Sequence, residues 1–434
     1  MVAPLLIALT AVFGPAVAAS PPPPPNVVLI VVDDLGYGDL GCYDGTLCPT
    51  PNIDALAASG VRFTQGYSNS CLCAPSRAGL LTGKYPNRFG FEYNPGEGAM
   101  TNPVIGLPLS EPTLAERLKV QSYSTALIGK WHLGSQAGKT PMDRGFDRFF
   151  GIYGGGSDYL PGGKINLWDN RTKVQLTQYA TDEFTDQAVD FVEGAAPQTP
   201  FFLFLSYTSV HVPYQAPQQY LDRVPNLTGD RQLYAAMLTA VDDGIGRVLD
   251  VLADRNLEQD TLVVFASDNG GAVKYGVASN GILRSGKETF FEGGVRVPLV
   301  LSWPGQFGTQ QTFTRQSSLM DIAPTILTAA GAAPNGSEGF DGVDLAPYVQ
   351  GVNLDPPHEQ LFWRKGNLKA VRDQEMKWMT EVDEFEQVKF RLFDLDTDVS
   401  ERKNLRRQLP EEELRLRQVF RSWSRQMMDP LWIP

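Results

Sequence analysis

What this chain lacks first is positive charge. Its 37 Lys and Arg stand against 49 Asp and Glu, a formal net charge of −12. That balance removes any general attraction to nucleic acid or to anionic membranes. An anionic substrate must then be held by a local cluster of cations. Long hydrophobic runs are missing too. Beyond the N-terminal segment none approaches the ~20 apolar residues of a spanning helix, so no stable membrane insertion is expected. No internal repeat is present. Histidine occurs three times and cysteine four times. Two of the four cysteines, Cys71 and Cys73, fall one residue apart in "CLCAPSRAGLLTG". A redox pair, a metal site, a disulfide and a modified nucleophile all fit that spacing.

The first nineteen residues, "MVAPLLIALTAVFGPAVAA", are apolar, uncharged and end in small residues. They read as a signal peptide over 1–19, although the usual basic start is absent. The competing reading, a membrane anchor, suffers from the interruption at Gly14 and Pro15 and from the short span. Export permits disulfides. Residues 20–25, "SPPPPP", form a stiff linker before the folded part.

From Asn26 onward, short apolar strands alternate with helical segments, the mark of an α/β fold with a largely parallel sheet. "NVVLIVV" is apolar on both faces, as a buried central strand should be. "STALIG", "FFLFLSY" and "TLVVFAS" repeat it, and "PLVLSW" is a fifth candidate. The longest helix is predicted from about Asp230 to Asp254. Texture changes near Gly351. "LFWRKGNLKAVRDQEMKWMTEV" and "VKFRLFDLD" predict antiparallel strands, followed by a charged helix from Pro410. The organisation read from this is a main domain over 26–350 and a smaller α+β subdomain over 351–434.

Chemistry gathers at the strand ends. The first strand runs into Asp33-Asp34, and "ASDNG" places Asp268-Asn269 directly after another strand. Ligands of parallel α/β sheets collect at the carboxyl ends of strands. Two such ends bearing oxygen donors point to one hard divalent cation, calcium before magnesium. Each pair alone would serve equally as an Asx turn or a helix cap. "IGKWHLG" supplies Lys130 and His132, which share a face if the segment stays extended. "SVHVPY" puts His211 just beyond "FFLFLSY". His358, in "DPPHEQ", reads as an ordinary surface loop residue. Lys287 lies in a glycine-rich loop, where a lone lysine is usually solvated. Pro75 suits the first turn of a helix, so Cys73 would stand at its N-terminus with Arg77 one turn along. Taken together these residues describe a pocket for a tetrahedral oxyanion with a nucleophile at its floor.

At this point the sequence resembles the type I, formylglycine-dependent sulfatases of the alkaline-phosphatase-like superfamily, of the arylsulfatase and N-acetylgalactosamine-sulfatase kind. The resemblance runs from Asn26 to about Asn404. It rests on "VVDDLGYGDLGCYDG", "CAPSRAGLLTG", "GKWHLG", "SVHVPY", "ASDNGG" and "GKETFFEGGVRVP", in family order, with "LFDLDTDVSERKNL" similar to a C-terminal signature. It implies a mixed, mostly parallel central sheet flanked by helices, with the smaller C-terminal subdomain. It also implies that Cys73 is oxidised to formylglycine (3-oxoalanine) by a formylglycine-generating enzyme, and that its gem-diol attacks sulfur to give a sulfated enzyme. Asp33, Asp34, Asp268 and Asn269 would bind calcium together with the oxygen of residue 73 or of the substrate. Arg77 would hold the formylglycine hydroxyl. Lys130 and Lys287 would bind sulfate, His211 would protonate the leaving oxygen and His132 would take the proton of the second hydroxyl. Ser157, in "GIYGGGSDYLPGG", is the expected further sulfate contact.

The implied substrate is a sulfate ester, on a carbohydrate. "GLPLSEPTLAERL" is similar to wording in galactosamine-sulfate and aryl sulfatases. A phosphonate monoester or phosphodiester hydrolase is the alternative enzyme, and an unmodified Cys73 would leave a sulfated-glycan binder. Pairing among Cys42, Cys48 and Cys71 stays open. The fate of the exported chain stays equally open: secreted, periplasmic or lysosomal. Asn170, Asn226 and Asn335 lie in N-x-S/T sequons, which matter only where the host glycosylates proteins.

Overall fold

A computed structural model describes residues 24–96, 102–332 and 339–433. The predicted signal peptide, most of the proline linker and Asn335 lie outside the described residues. In chain order the strands are β1 (Asn26–Val32), β2 (Val61–Phe63), β3 (Gly66–Tyr67), β4 (Ser124–Lys130), β5 (Arg148–Ile152), β6 (Leu167–Asp169), β7 (Thr172–Val174) and β8 (Phe201–Tyr207). They continue with β9 (Thr261–Ser267), β10 (Leu299–Ser302), β11 (Gln311–Phe313), β12 (Ser317–Ser318), β13 (Gln360–Lys365), β14 (Leu368–Asp373), β15 (Met376–Val382) and β16 (Val388–Asp394).

Ten strands form one sheet in the order β11-β2-β10-β9-β1-β8-β4-β5-β6-β7. β9, β1, β8, β4 and β5 run parallel. "PLVLSW" does contribute a strand, but β10 runs antiparallel to β9. The short strands at either edge carry too little alternation to stand out in the sequence.

The alternation along β1 explains why its sequence is apolar throughout. Val28, Ile30 and Val32 enter one layer with Phe184, Leu238 and Val241 of the helices Ala180–Glu193 and Gly229–Asp254. Val27, Leu29 and Val31 enter the other, with Ala78, Leu118 and Ile326 of the helices Cys73–Thr82, Leu114–Val120 and Ile322–Ala329. Both faces are covered, as parallel sheets require. The long helix spans Gly229–Asp254, within a residue of its predicted start.

β13 to β16 form a separate antiparallel sheet, and the helix Pro410–Ser424 covers one face of it. Phe362 stacks on Trp423 there, centroids 4.9 Å apart. The other face meets the short helix Glu292–Val295 and the strand β3 through a buried ionic seam. Lys377 Nζ lies 2.8 Å from Glu292 Oε1 and 3.0 Å from Glu401 Oε1. Glu292 Oε2 accepts from Tyr67 at 2.6 Å and faces Arg296 at 3.4 Å. Glu401, from the C-terminal "DVSERKNL", accepts the Glu292 backbone N–H at 2.6 Å.

One expectation is overturned here. His358 is not an ordinary surface residue. Its side chain is 9% exposed and its Nε2 lies 2.7 Å from Asp321 Oδ1. The Asp-Pro-Pro context reads as exposed loop, but that loop folds back onto an aspartate distant in sequence.

Candidate active site

Because β1 and β9 pair in parallel with Val32 opposite Ser267, the residues that follow them emerge side by side. Asp33 continues the strand, and Asp34 turns into the left-handed region at φ 60°. Aspartate tolerates that conformation better than most residues. The turn is what brings two adjacent carboxylates to one place, where an unbroken strand would send them to opposite faces. Asp268 and Asn269 meet them from β9. Asp268 Oδ1 accepts the Asp34 N–H at 3.3 Å, and Asn269 Nδ2 donates to Asp34 Oδ1 at 2.8 Å.

Cys73 arrives from the opposite side, as the first residue of its helix, with Sγ 3.9 Å from Asp34 Oδ1. One ligand atom each from Asp33, Asp34, Cys73 and Asp268 falls within 4.8 Å of all the others. Calcium holds oxygens at ~2.3–2.6 Å, so donors on opposite sides of one ion stand at about this separation. Asp33 Oδ1 and Asn269 Oδ1 are buried without a hydrogen-bond partner. Buried oxygens left unpaired are costly, and a hard cation satisfies both. The residues fit a divalent metal with oxygen preference, save for the sulfur of Cys73, which is soft.

Three cations oppose the three carboxylates. Lys130 ends β4 and places Nζ 2.5 Å from Asp33 Oδ2. Lys287 Nζ lies 2.7 Å from Asp34 Oδ1. Arg77 Nε is 2.7 Å from Asp268 Oδ2, and its Nη1 donates to Ser206 Oγ at 2.5 Å. Ser206 in turn donates to the Lys130 carbonyl at 2.6 Å, tying β8 to β4. Burial alone would raise the Asp33 carboxyl, but Lys130, His211, Arg77 and Lys287 hold it below its ordinary range. Burial and then Asp33 push the Cys73 thiol upward, so it stays protonated and makes a poor thiolate nucleophile.

The histidines complete the site from two further strand ends. β4 stops at Lys130, so Lys130 and His132 do not share a strand face as an extended segment would have them do. His132 instead adopts φ 62° and swings under the cluster. A Cβ on Gly155 would stand 2.6 Å from its ring, so glycine is required there. Burial, with Lys130 and Arg77 adding, holds His132 well below its ordinary value, and Nδ1 is buried without a partner. His211 follows β8, with Nε2 3.8 Å from Asp34 Oδ2. Its Nδ1 sits 2.7 Å from the Val212 carbonyl, which can only accept, so Nδ1 carries the proton. Tyr159 OH donates to the carbonyls of Thr208 at 2.6 Å and His211 at 2.8 Å, bracing this loop.

The structure thus brings Asp33, Asp34, Cys73, Arg77, Lys130, His132, His211, Asp268, Asn269 and Lys287 together. Ser157 makes no hydrogen bond to them; its Oγ is buried and unpartnered on the loop that also carries Gly155 and Gly156. Ser206 and Tyr159 escape a reading of the sequence, since each resembles an ordinary core polar residue. Among the described residues all four cysteines are free, so no pairing of Cys42, Cys48 and Cys71 forms.

Comparison with known proteins agrees with this geometry. The Sulfatase family profile matches residues 25–332. The N-acetylgalactosamine-6-sulfatase of Rattus norvegicus is 35% identical over 395 residues, covering 82% of this chain and 72% of the relative. Arylsulfatase A of Bos taurus is 37% identical over 362 residues, 76% and 69% of the two chains. A crystal structure of Ps i-CgsB in complex with k-i-k-neocarrahexaose superposes with a TM-score of 0.87 at 33% identity, covering 94% of this chain and 95% of that one. The chain belongs to the sulfatase family and is an enzyme acting on sulfate esters.

Proposed function

We propose that this enzyme releases inorganic sulfate from a sulfated carbohydrate, using a formylglycine formed from Cys73 and a calcium ion. The observation that carries the reading is the position of Cys73. A thiol kept protonated among three carboxylates is a poor nucleophile and a poor ligand for a hard cation; an oxygen on the same carbon suits both tasks. Asp33, Asp34, Asp268 and Asn269 would hold the metal, which supplies charge to bind and polarise the sulfate. Formylglycine, once hydrated, supplies a hydroxyl able to attack sulfur and a second whose deprotonation expels sulfate.

The remaining steps fall to the chain's own side chains. Arg77, fixed by Asp268 and Ser206, keeps its Nη2 unpartnered and would orient the oxygen of residue 73. Lys130 and Lys287, now paired with Asp33 and Asp34, would bind the sulfate oxygens. Doubly protonated, with its Nδ1–H kept on the Val212 carbonyl, His211 gives its Nε2 proton to the leaving oxygen, with Lys287 assisting. His132 is held neutral and accepts the proton that allows sulfate to depart. Ser157 contributes its free hydroxyl to the sulfate. Residues 26–350 form the catalytic domain and 351–434 the subdomain that buttresses it. Export through the N-terminal signal places the enzyme outside the cytoplasm. Among the described residues, no helix is long and apolar enough to cross a membrane. The relatives, which include an N-acetylgalactosamine-6-sulfatase and a protein in complex with a neocarrahexaose, support a carbohydrate substrate.

The test is the mass of the peptide containing Cys73, isolated from active enzyme, with sulfate release from nitrophenyl sulfate measured on the same sample. Formylglycine at position 73 in proportion to activity is the expected result. Full activity with an unmodified thiol would overturn the reading.

A further inference from the structure

Beside the reacting centre lies a cleft of about 630 Å³ that the chemistry above does not use. It begins at His132 and Gly156, passes Tyr153, and ends at Lys164, Trp168 and Lys173 around the β6–β7 hairpin. Gly156 stands against the other histidine too, since a Cβ there would lie 3.2 Å from His211 Nδ1. The cleft is therefore continuous with the site of sulfate cleavage.

Its lining combines two lysines with two aromatic rings. Among the described residues no Asp or Glu lines it, in a chain of net charge −12. Lys164 and Lys173 point no ammonium group at any carboxylate among the described residues. An unpaired lysine on a surface is ordinary, but two in one concavity make a locally positive field, because the neighbouring Asp158 carboxylate is taken up by the Lys164 backbone N–H and the Gln215 amide. Between them and the histidines lies a flat apolar platform. Tyr153 stacks on Trp168 with centroids 4.9 Å apart and 24° between planes, and on Phe149 at 5.3 Å and 11°. Stacked on both sides, Tyr153 fixes the half-buried Trp168 ring in place. A rigid aromatic face next to polar donors is what a pyranose ring requires, since its C–H faces are apolar and its rim is hydroxylated.

We propose that this cleft binds the sugar next to the one being desulfated, with its ring on Trp168 and a second sulfate held by Lys164 and Lys173. The preferred substrate is then a multiply sulfated polysaccharide rather than a singly sulfated sugar. This rests on the sulfatase reading given above. A carboxylated but unsulfated neighbour would present a single planar acceptor, whereas a sulfate offers three oxygens to two ammonium groups approaching from different elements.

The experiment compares three substrates of the full-length enzyme: nitrophenyl sulfate, and galactan hexasaccharides carrying one or two sulfates per disaccharide. Wild type should favour the twice-sulfated hexasaccharide. The Lys164→Ala/Lys173→Ala double variant should raise its KM about tenfold, the scale of two exposed ion pairs, and this loss should shrink at high salt. The once-sulfated hexasaccharide and nitrophenyl sulfate should stay within about twofold. Trp168→Ala should raise KM for both hexasaccharides and leave nitrophenyl sulfate unchanged, and Trp168→Phe should restore most of the loss. Equal effects of the lysine pair on once- and twice-sulfated substrates would overturn the assignment. Failure of wild type to release sulfate from any substrate would strike the catalytic reading alone. Calorimetric binding of the two hexasaccharides to Cys73→Ser protein then makes the same comparison, and equal affinities would sink the cleft proposal.

Discussion

Two clusters of buried charge lie in this molecule, and they are built on opposite plans. At the ionic seam every oxygen of Glu292 is occupied, Oε1 by Lys377 and Oε2 by Tyr67 and Arg296. At the strand ends, Asp33 Oδ1, Asn269 Oδ1, one Arg77 nitrogen and His132 Nδ1 are all buried and unpartnered. The first cluster is nearly closed: Glu401 Oε1 alone makes no hydrogen bond, and its charge is answered by Lys377 at 3.0 Å. The second leaves valences open in one small volume, which is a cost to stability that only a bound group offsets. Buried charge by itself therefore identifies nothing; four unpartnered atoms converging at the strand ends, against one in the seam, distinguish the site.

The sharpest way to test that contrast is at residue 73. Cys73→Ala should lower sulfate ester hydrolysis by about 10⁴-fold or more, the scale of losing a nucleophile. Its thermal unfolding should remain cooperative. Cys71→Ala, removing an equally buried sulfur two residues away, should keep most activity. Comparable loss in both, read from initial rates, would point to paired thiols.

The seam should behave in reverse. Lys377→Met leaves Glu292 and Glu401 without their shared cation, and breaking a buried pair costs about 3–5 kcal/mol. A urea titration should show that loss, while kcat per folded molecule stays near wild type. A kcat that collapses with full stability would mean the seam is part of the site.

Calcium should separate the two clusters next. At one hundred times its Kd, the ion should stabilise the protein by about 2.7 kcal/mol. Lys377→Met should show the same increment, because the two clusters share no hydrogen-bond partner. Exhaustive chelation should remove both the increment and the activity. A calcium-insensitive melting curve would contradict the metal assignment.

The smallest effect is expected at His358. Burial alone would lower its pKa, but Asp321 outweighs that and raises it above the ordinary value near 6.5. Its ion pair therefore stabilises fully below about pH 6.5 and fades as pH rises through the elevated folded value. His358→Gln should cost about 1.5 kcal/mol at pH 6, as for a hydrogen bond to a charged group. The gap to wild type should narrow by pH 9. A constant gap would show that packing alone is lost.

Much of this arrangement is legible in the sequence because it is local. Asp33-Asp34 and Asp268-Asn269 announce themselves by following apolar strands, and Pro75 marks the helix that begins at Cys73. What escapes the sequence depends on pairing between distant elements. Ser206 looks like a tolerated polar residue in a core strand until Arg77 is seen to lean on it. His358 looks solvated until Asp321, 37 positions away, is found beneath it. Glu401 and Lys377 read as surface charges for the same reason. The swing of His132 out of β4 depends on a left-handed backbone angle that no neighbouring residue signals.

The helix that begins at Cys73 has one further consequence, for biogenesis. All ten of its residues, Cys73 to Thr82, are buried. On the proposed reading another enzyme must reach Cys73, recognise Pro75 and Arg77 beside it, and oxidise it. None of those side chains is accessible once the sheet and helix have joined. On that reading maturation must precede folding, while the segment is still an extended peptide. A chain that folds first is sealed against its own activation, and no later supply of the maturation enzyme rescues it without unfolding.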